Sequence, residues 1–159
     1  MENSNVAIGY QALTSDTLGD RNIAIGNGAL GTQNFTTTTD AYNVAIGQET
    51  GYSITTGFQN TLVGGLAGDA LTDSDYNTAV GYNALGAETM GARNTAVGQE
   101  ALASQNTATA FNTYNTGLGF QAGRLISSGI QNTLVGSECG DKLTTSGGNV
   151  AVGYSALGS

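Results

Sequence analysis

A chain of 159 residues with 25 Gly, 7% aromatic and 10% charged residues, and neither Pro, Trp nor His, has too few large apolar side chains for an ordinary two-layer domain. Its formal charge of −8, from 12 acidic and 4 basic residues, provides no basic stripe to release counterions. That excludes nucleic-acid partners, and an anionic membrane surface would repel it. No run is long and apolar enough to insert across a bilayer, and the single Cys139 excludes an internal disulfide.

Along the chain one nonapeptide returns nine times: NVAIGYQAL (5–13), NIAIGNGAL (22–30), NVAIGQETG (43–51), NTLVGGLAG (60–68), NTAVGYNAL (77–85), NTAVGQEAL (94–102), NTGLGFQAG (115–123), NTLVGSECG (132–140) and NVAVGYSAL (149–157). A fixed short period means a stacked array. From Asn to Asn the steps are 17, 21, 17, 17, 17, 21, 17 and 17 residues, so landmarks recur at 72: QNTLVG at 59–64 and again at 131–136, Arg21 and Arg93 before a repeat. The ninth position reads Leu, Leu, Gly, Gly, Leu, Leu, Gly, Gly, Leu. These regularities predict an all-β parallel β-roll (β-solenoid) of nine coils in one domain, residues 1–159, with duplicated four-coil blocks at 5–76 and 77–148 and a ninth coil at 149–159. Disorder competes for so much Gly, Asn, Thr and Ser. A disordered tract, however, needs no Ile, Val or Leu at the fourth position of every copy.

Within a coil, two-residue alternation puts positions two and four on one strand face and positions three and five on the other. The always-branched position four is expected inside. Position one is Asn throughout (Asn5, Asn22, Asn43, Asn60, Asn77, Asn94, Asn115, Asn132, Asn149), suited to tight turns and to an amide ladder between coils. Position five is Gly throughout (Gly9, Gly26, Gly47, Gly64, Gly81, Gly98, Gly119, Gly136, Gly153), which implies a bend at positive φ, a close backbone approach, or both. Cys139, at the eighth position where other copies carry Ala or Thr, is expected as a buried small side chain. One apolar residue in each connecting segment (Leu18, Ile54, Leu71, Met90, Ile126, Leu143) is expected on a second short inward strand. At about 4.8 Å per coil the rod is on the order of 40 Å long. So thin a core leans on oligomerisation, and the Ala/Gly strip of positions three, five and eight is expected to pack against copies of itself under closed symmetry.

The NVAIG, NTAVG and NTLVG cores resemble the head repeats of YadA-like trimeric adhesins and, more closely, the NTAVGYNAL-type repeats of bacteriophage tail fibres. The resemblance spans all nine copies and implies a left-handed β-roll, a homotrimer, and a stiff surface fibre contacting a host. Coils of 17 or 21 residues are longer than the adhesin repeat. The start MENSNVAIG has no basic region or apolar stretch, and no neck, stalk or anchor is visible. With natural ends this favours a virion tail fibre over a bacterial surface adhesin head.

Catalytic chemistry finds no support. His is absent, Cys139 has no basic neighbour in sequence, and Glu49, Glu100 and Glu138 at position seven read as solvated turns. Asp73-Ser74-Asp75 lacks the Asp-rich loop and closing Glu of a calcium site. No cofactor and no metal are expected. The two four-residue insertions, within 31–42 and 103–114, carry Phe35 and Tyr42, and Phe111 and Tyr114. Loops on a rigid scaffold host recognition, and aromatic faces among Asn and Thr suit a glycan, with a protein receptor as the other partner; simple coverage of the coil end is the competing reading. Beside a fibre segment stand a pure structural spacer and an ice-binding solenoid, the latter weakened because position two is Thr in some copies and Val or Ile in others.

Overall fold

Parallel stacking follows from repetition: similar segments recurring at 17 or 21 residues bring each residue above its own counterpart. The computed structural model describes residues 4–158; residues 1–3 and 159 of the expected domain lie outside them. Thirteen short strands form: β1 (Val6–Ile8), β2 (Gly19–Asp20), β3 (Ile23–Ile25), β4 (Thr39–Asp40), β5 (Val44–Ile46), β6 (Thr61–Val63), β7 (Thr78–Val80), β8 (Gly91–Ala92), β9 (Thr95–Val97), β10 (Phe111–Asn112), β11 (Thr116–Leu118), β12 (Thr133–Val135) and β13 (Val150–Val152). Nine of them make one sheet in the order β1-β3-β5-β6-β7-β9-β11-β12-β13. Neighbours are parallel and in register, as in Thr78↔Thr95, Ala79↔Ala96 and Val80↔Val97. The protein is an all-β parallel β-solenoid of about nine turns, with no helix among the described residues.

The expected second strand is realised only at the insertions, as the two-residue pairs β2–β4 and β8–β10. Elsewhere the chain returns through turns. Three tight corners per coil leave no length for a second strand. Position seven, position nine and the residue before each Asn adopt left-handed backbone, as at Asn83 (53°), Leu85 (56°) and Tyr76 (60°). Left-handed backbone strains an L side chain, so the stack must hold these corners in place.

The inside and outside of the sheet are reversed from expectation. Position three is buried, at 0% exposure for Ala24, Ala45, Leu62, Ala79, Ala96 and Leu134. Position four faces outward: Ile46 is 37% exposed, Leu118 44% and Val152 70%. Alternation was right and its parity wrong. Position one must be inside, because the Asn amides serve buried backbone, and position three then shares that side. Ala, Leu or Gly fills that inner column.

Position eight is buried as well (Ala29, Ala67, Ala84, Ala101, Cys139). Positions three and eight are therefore interior lining, so the expected Ala/Gly strip does not form a surface on which copies could pack; only the position-five glycines are partly exposed. Cys139 is a buried small side chain, as expected. Its thiol donates to the Ala151 carbonyl, and burial pushes its pKa up.

A volume exchange explains the Leu/Gly alternation at position nine. Where position nine is Leu (Leu30, Leu85, Leu102), position twelve is Gln33, Glu88 or Gln105. Where it is Gly, position twelve is Ile54, Leu71, Ile126 or Leu143, and a Cβ on Gly68 would stand 2.7 Å from Leu71 Cδ1. Each coil receives one large aliphatic group from one corner or the other, and the fourth and eighth coils add Leu62 and Leu134 at position three. Ile54, Leu71 and Ile126 are buried and Leu143 partly so. Leu18 (38% exposed) and Met90 are not core residues; their expected place is taken by Asp16 and Glu88, two positions earlier.

The Asn ladder is present. Each Asn side-chain carbonyl accepts the backbone N–H of the next Asn, from Asn22 onto Asn5 (2.8 Å) to Asn149 onto Asn132 (3.1 Å). Several amides also donate to a turn carbonyl fourteen residues on, as Asn60 does to Ser74 (2.8 Å). Both readings of the position-five glycines hold together. Their φ values are 129–141°, and a Cβ on Gly81 would lie 2.5 Å from the Gly98 carbonyl oxygen.

Candidate functional site

Two regions have the exposure to meet a partner: the outer sheet face and the insertion corners. On the sheet face, position two (Val6, Ile23, Val44, Thr61, Thr78, Thr95, Thr116, Thr133, Val150) lies beside position four in two parallel columns. Tyr10, Tyr82, Phe120 and Tyr154 stand at position six, all exposed. The face spans nine strands, roughly 40 Å by 10 Å, and carries no charged residue at positions two or four. At roughly 400 Å², with Thr at position two in five of the nine coils, the strip matches in size the largest patches on ordinary soluble surfaces, which are often functional.

Each insertion is held by a carboxylate and a glutamine in equivalent places 72 residues apart, Asp16 with Gln33 and Glu88 with Gln105. Glu88 is fully buried. Its Oε1 accepts the backbone N–H groups of Thr89 (2.9 Å), Met90 (3.1 Å), Gly91 (2.7 Å) and Thr107 (3.0 Å) and the Thr107 hydroxyl (2.7 Å). Its Oε2 accepts from Gln105 Nε2 (2.8 Å). Gln105 Oε1 in turn accepts from Asn115 Nδ2 (2.8 Å), tying the insertion to the Asn ladder. The first block repeats this more loosely: Asp16 accepts from Gly19 N (2.9 Å) and Gln33 Nε2 (3.3 Å), and Gln33 accepts from Asn43 (2.9 Å).

The four aromatic candidates separate. Phe35 is 6% exposed, so it covers the coil end and offers no contact face, contrary to expectation. Phe111 (40%), Tyr42 (46%) and Tyr114 (50%) are exposed. Phe35 and Phe111 are also not equivalent, since 72 residues separate Phe35 from Thr107 and Thr39 from Phe111. Tyr42 and Tyr114 are equivalent and share an edge column with Tyr76, Arg21 and Arg93. Arg21 lies 5.6 Å from the Tyr42 ring centre and pairs with Asp40 (3.2 Å), which raises its pKa; Arg93 lies 4.4 Å from the Tyr76 ring centre. Tyr76 also takes an edge-on contact from Phe58 at 5.4 Å. Arg21, Arg93, Tyr42 and Tyr114 stand out in the sequence singly; that they form one column with Tyr76 is marked only by their shared place before Asn.

Among the described residues no group of three or more His, Cys, Asp or Glu is placed to hold a metal. Burial, with a smaller contribution from Glu49, pushes the Asp69 carboxyl above the ordinary range, and its Oδ1 is buried without a partner. A carboxyl raised in the folded state binds more protons there than when unfolded. Stability therefore falls as pH climbs from the ordinary Asp value, about 4, through the raised one. Asp69→Asn is expected to raise Tm slightly at neutral pH, with the gain fading as pH drops toward 4; thermal melts across that range read it.

The architecture is thus established as a nine-turn parallel β-solenoid, while the comparisons with known proteins identify no family: no family model, no curated protein and no solved structure matches the chain.

Proposed function

We propose that the chain is a non-enzymatic structural and adhesive fibre segment. It assembles with further copies of itself along the outer sheet face and contributes to attachment at a host surface, as part of a virion tail fibre or a comparable extracellular appendage. The outer sheet face, aliphatic at position four and Thr, Val or Ile at position two, carries this reading. It is uncharged at both positions and continuous over all nine coils, and burying such a face between copies adds apolar area to that of the thin interior. Three chains around an axis parallel to the rod is the arrangement implied by the resemblance to tail-fibre and adhesin repeats, and closed cyclic symmetry fits identical faces.

The in-register threonines Thr61, Thr78, Thr95, Thr116 and Thr133 are the feature an ice-binding face would use. Val or Ile takes their place in coils one to three and nine. Ice binding therefore accounts for the middle of the face, whereas self-association accounts for all of it.

Val80 and Val97 face outward on adjacent strands. Combining Val80→Lys with Val97→Glu places an opposite-charge pair there, compatible with the sheet and incompatible with apolar contact between chains. The expected result is a single-chain mass by light scattering with the β-sheet circular dichroism retained. An unchanged assembly would remove this face as the interface.

A further inference from the structure

The duplication supplies an internal control, and at one place the two blocks disagree. A shallow open cleft of about 370 Å³ lies over coils four to six, lined by connecting-segment residues alone. It is lined by Asp73 and Asp75 of coil four, Met90 and Ala92 of coil five, and Ala110, Phe111 and Asn112 of coil six. Seventy-two residues earlier Ala92, Ala110, Phe111 and Asn112 correspond to Asp20, Thr38, Thr39 and Asp40, and Met90 to Leu18, while the counterparts of Asp73 and Asp75 lie outside the described residues. Pairing confirms the correspondence: Asp20↔Asp40 in β2–β4 answers Ala92↔Asn112 in β8–β10. In the first block the Arg21–Asp40 ion pair occupies that corner. The second block has exchanged bulky polar residues for alanine and a threonine for a 40% exposed phenylalanine.

We propose that this cleft binds a neutral saccharide ring, with Phe111 and Met90 against its C–H face and Asp73, Asp75 and Asn112 as hydroxyl partners. The carboxylates are held in place: Thr55 and Thr56 hydroxyls donate to Asp73 Oδ1 (2.6 and 2.8 Å) and Phe58 N donates to Asp75 Oδ1 (2.9 Å). Each therefore keeps its second oxygen for a ligand. Arg93 Nε donates to Asn112 Oδ1 (3.1 Å), and its guanidinium charge acts on Asp75. A cation at the rim counters the carboxylates and disfavours an ammonium ligand, whereas hydroxyl groups can pair with acceptors and donors alike. A carbohydrate's apolar ring face against an exposed aromatic side chain adds contact area at low entropy cost.

This rests on the attachment part of the fibre reading, and no lining residue belongs to the nine-stranded sheet, so the cleft stays open in an assembly built on that face. The test is amide NMR of the isotope-labelled intact protein titrated with soluble glucose-, galactose- and N-acetylglucosamine-based oligosaccharides, with solution mass recorded on the same sample. Shifts gathered at Ala92, Phe111 and Asn112 for at least one sugar are expected. The double variant Ala92→Asp with Phe111→Thr installs the residues the first block already folds with, and is expected to weaken binding about tenfold or more. No shift with any of these sugars, shifts that persist in the double variant, or shifts produced by butylammonium alone would overturn the proposal. Lack of sugar binding with assembly intact leaves the fibre reading standing; binding by a single-chain species defeats the fibre reading and keeps the cleft.

Discussion

Gly81→Ala is expected to cost more than about 4 kcal/mol and to split the solenoid between its fifth and sixth coils. The new Cβ would sit 2.5 Å from the Gly98 carbonyl oxygen and 2.6 Å from its carbon. Gly98 cannot retreat, because its own N–H donates to Val80 O at 2.8 Å. Gly81 also holds φ at 135°, a value that an L side chain resists. Gly153 separates the two causes: its φ is 130°, yet a Cβ there meets only Ala156 Cβ at 3.9 Å. Gly153→Ala should therefore cost only backbone strain, about 1–3 kcal/mol. Because each coil contacts only its neighbours, denaturant melts of Gly81→Ala should lose their single transition, whereas those of Gly153→Ala should keep it. Equal costs at the two sites would mean that the close backbone approach is not what excludes a side chain.

Glu88→Ala is expected to destabilise the second block by roughly 4 kcal/mol. It strips the acceptor from four backbone N–H groups, the Thr107 hydroxyl and the Gln105 amide in a buried corner. An unsatisfied buried donor costs about 1–3 kcal/mol, and the groups nearest the surface recover water, so the total stays below the sum. Asp16→Ala removes an acceptor from Gly19 N and Gln33 Nε2 only, and about 1–2 kcal/mol is expected there. Hydrogen exchange locates the damage: the Gly91 and Thr107 amides should lose protection in Glu88→Ala while those of the nine-stranded sheet keep it. Retained protection at both amides would show that the carboxylate does not organise the insertion.

The features legible from sequence were those that stacking imposes identically on every copy. Coil boundaries, parallel register, the Asn ladder and the dual constraint at the position-five glycines all follow from one residue type returning at one place. The face assignment failed because alternation fixes parity but not which parity is inside. Branched aliphatics at position four suggested a core, whereas Asn at position one already required the interior and carried position three with it. Left-handed corners were hidden because Leu, Gln, Glu, Tyr and Arg occupy them. A signal did exist, since Gly28, Gly51, Gly68, Gly123, Gly140 and Gly148 stand in those same columns. The exchange between positions nine and twelve is half visible in the Leu/Gly pattern; its polar half, Asp16, Gln33, Glu88 and Gln105, is masked in the first and fifth coils by Leu18 and Met90 two residues later. Phe35 and Phe111 look like a matched pair of insertion aromatics, but the 72-residue period does not relate them. That mismatch is also what marks the second block's open cleft.

The solution mass of the intact wild-type protein by light scattering, with the small-angle scattering profile taken on the same sample, tests self-association most directly. Three 16.0 kDa chains in one elongated particle, with the outer sheet face buried at its axis, are expected. A well-folded single chain of the same rod length would contradict self-association, leaving the aliphatic face open to water or to a different occupant.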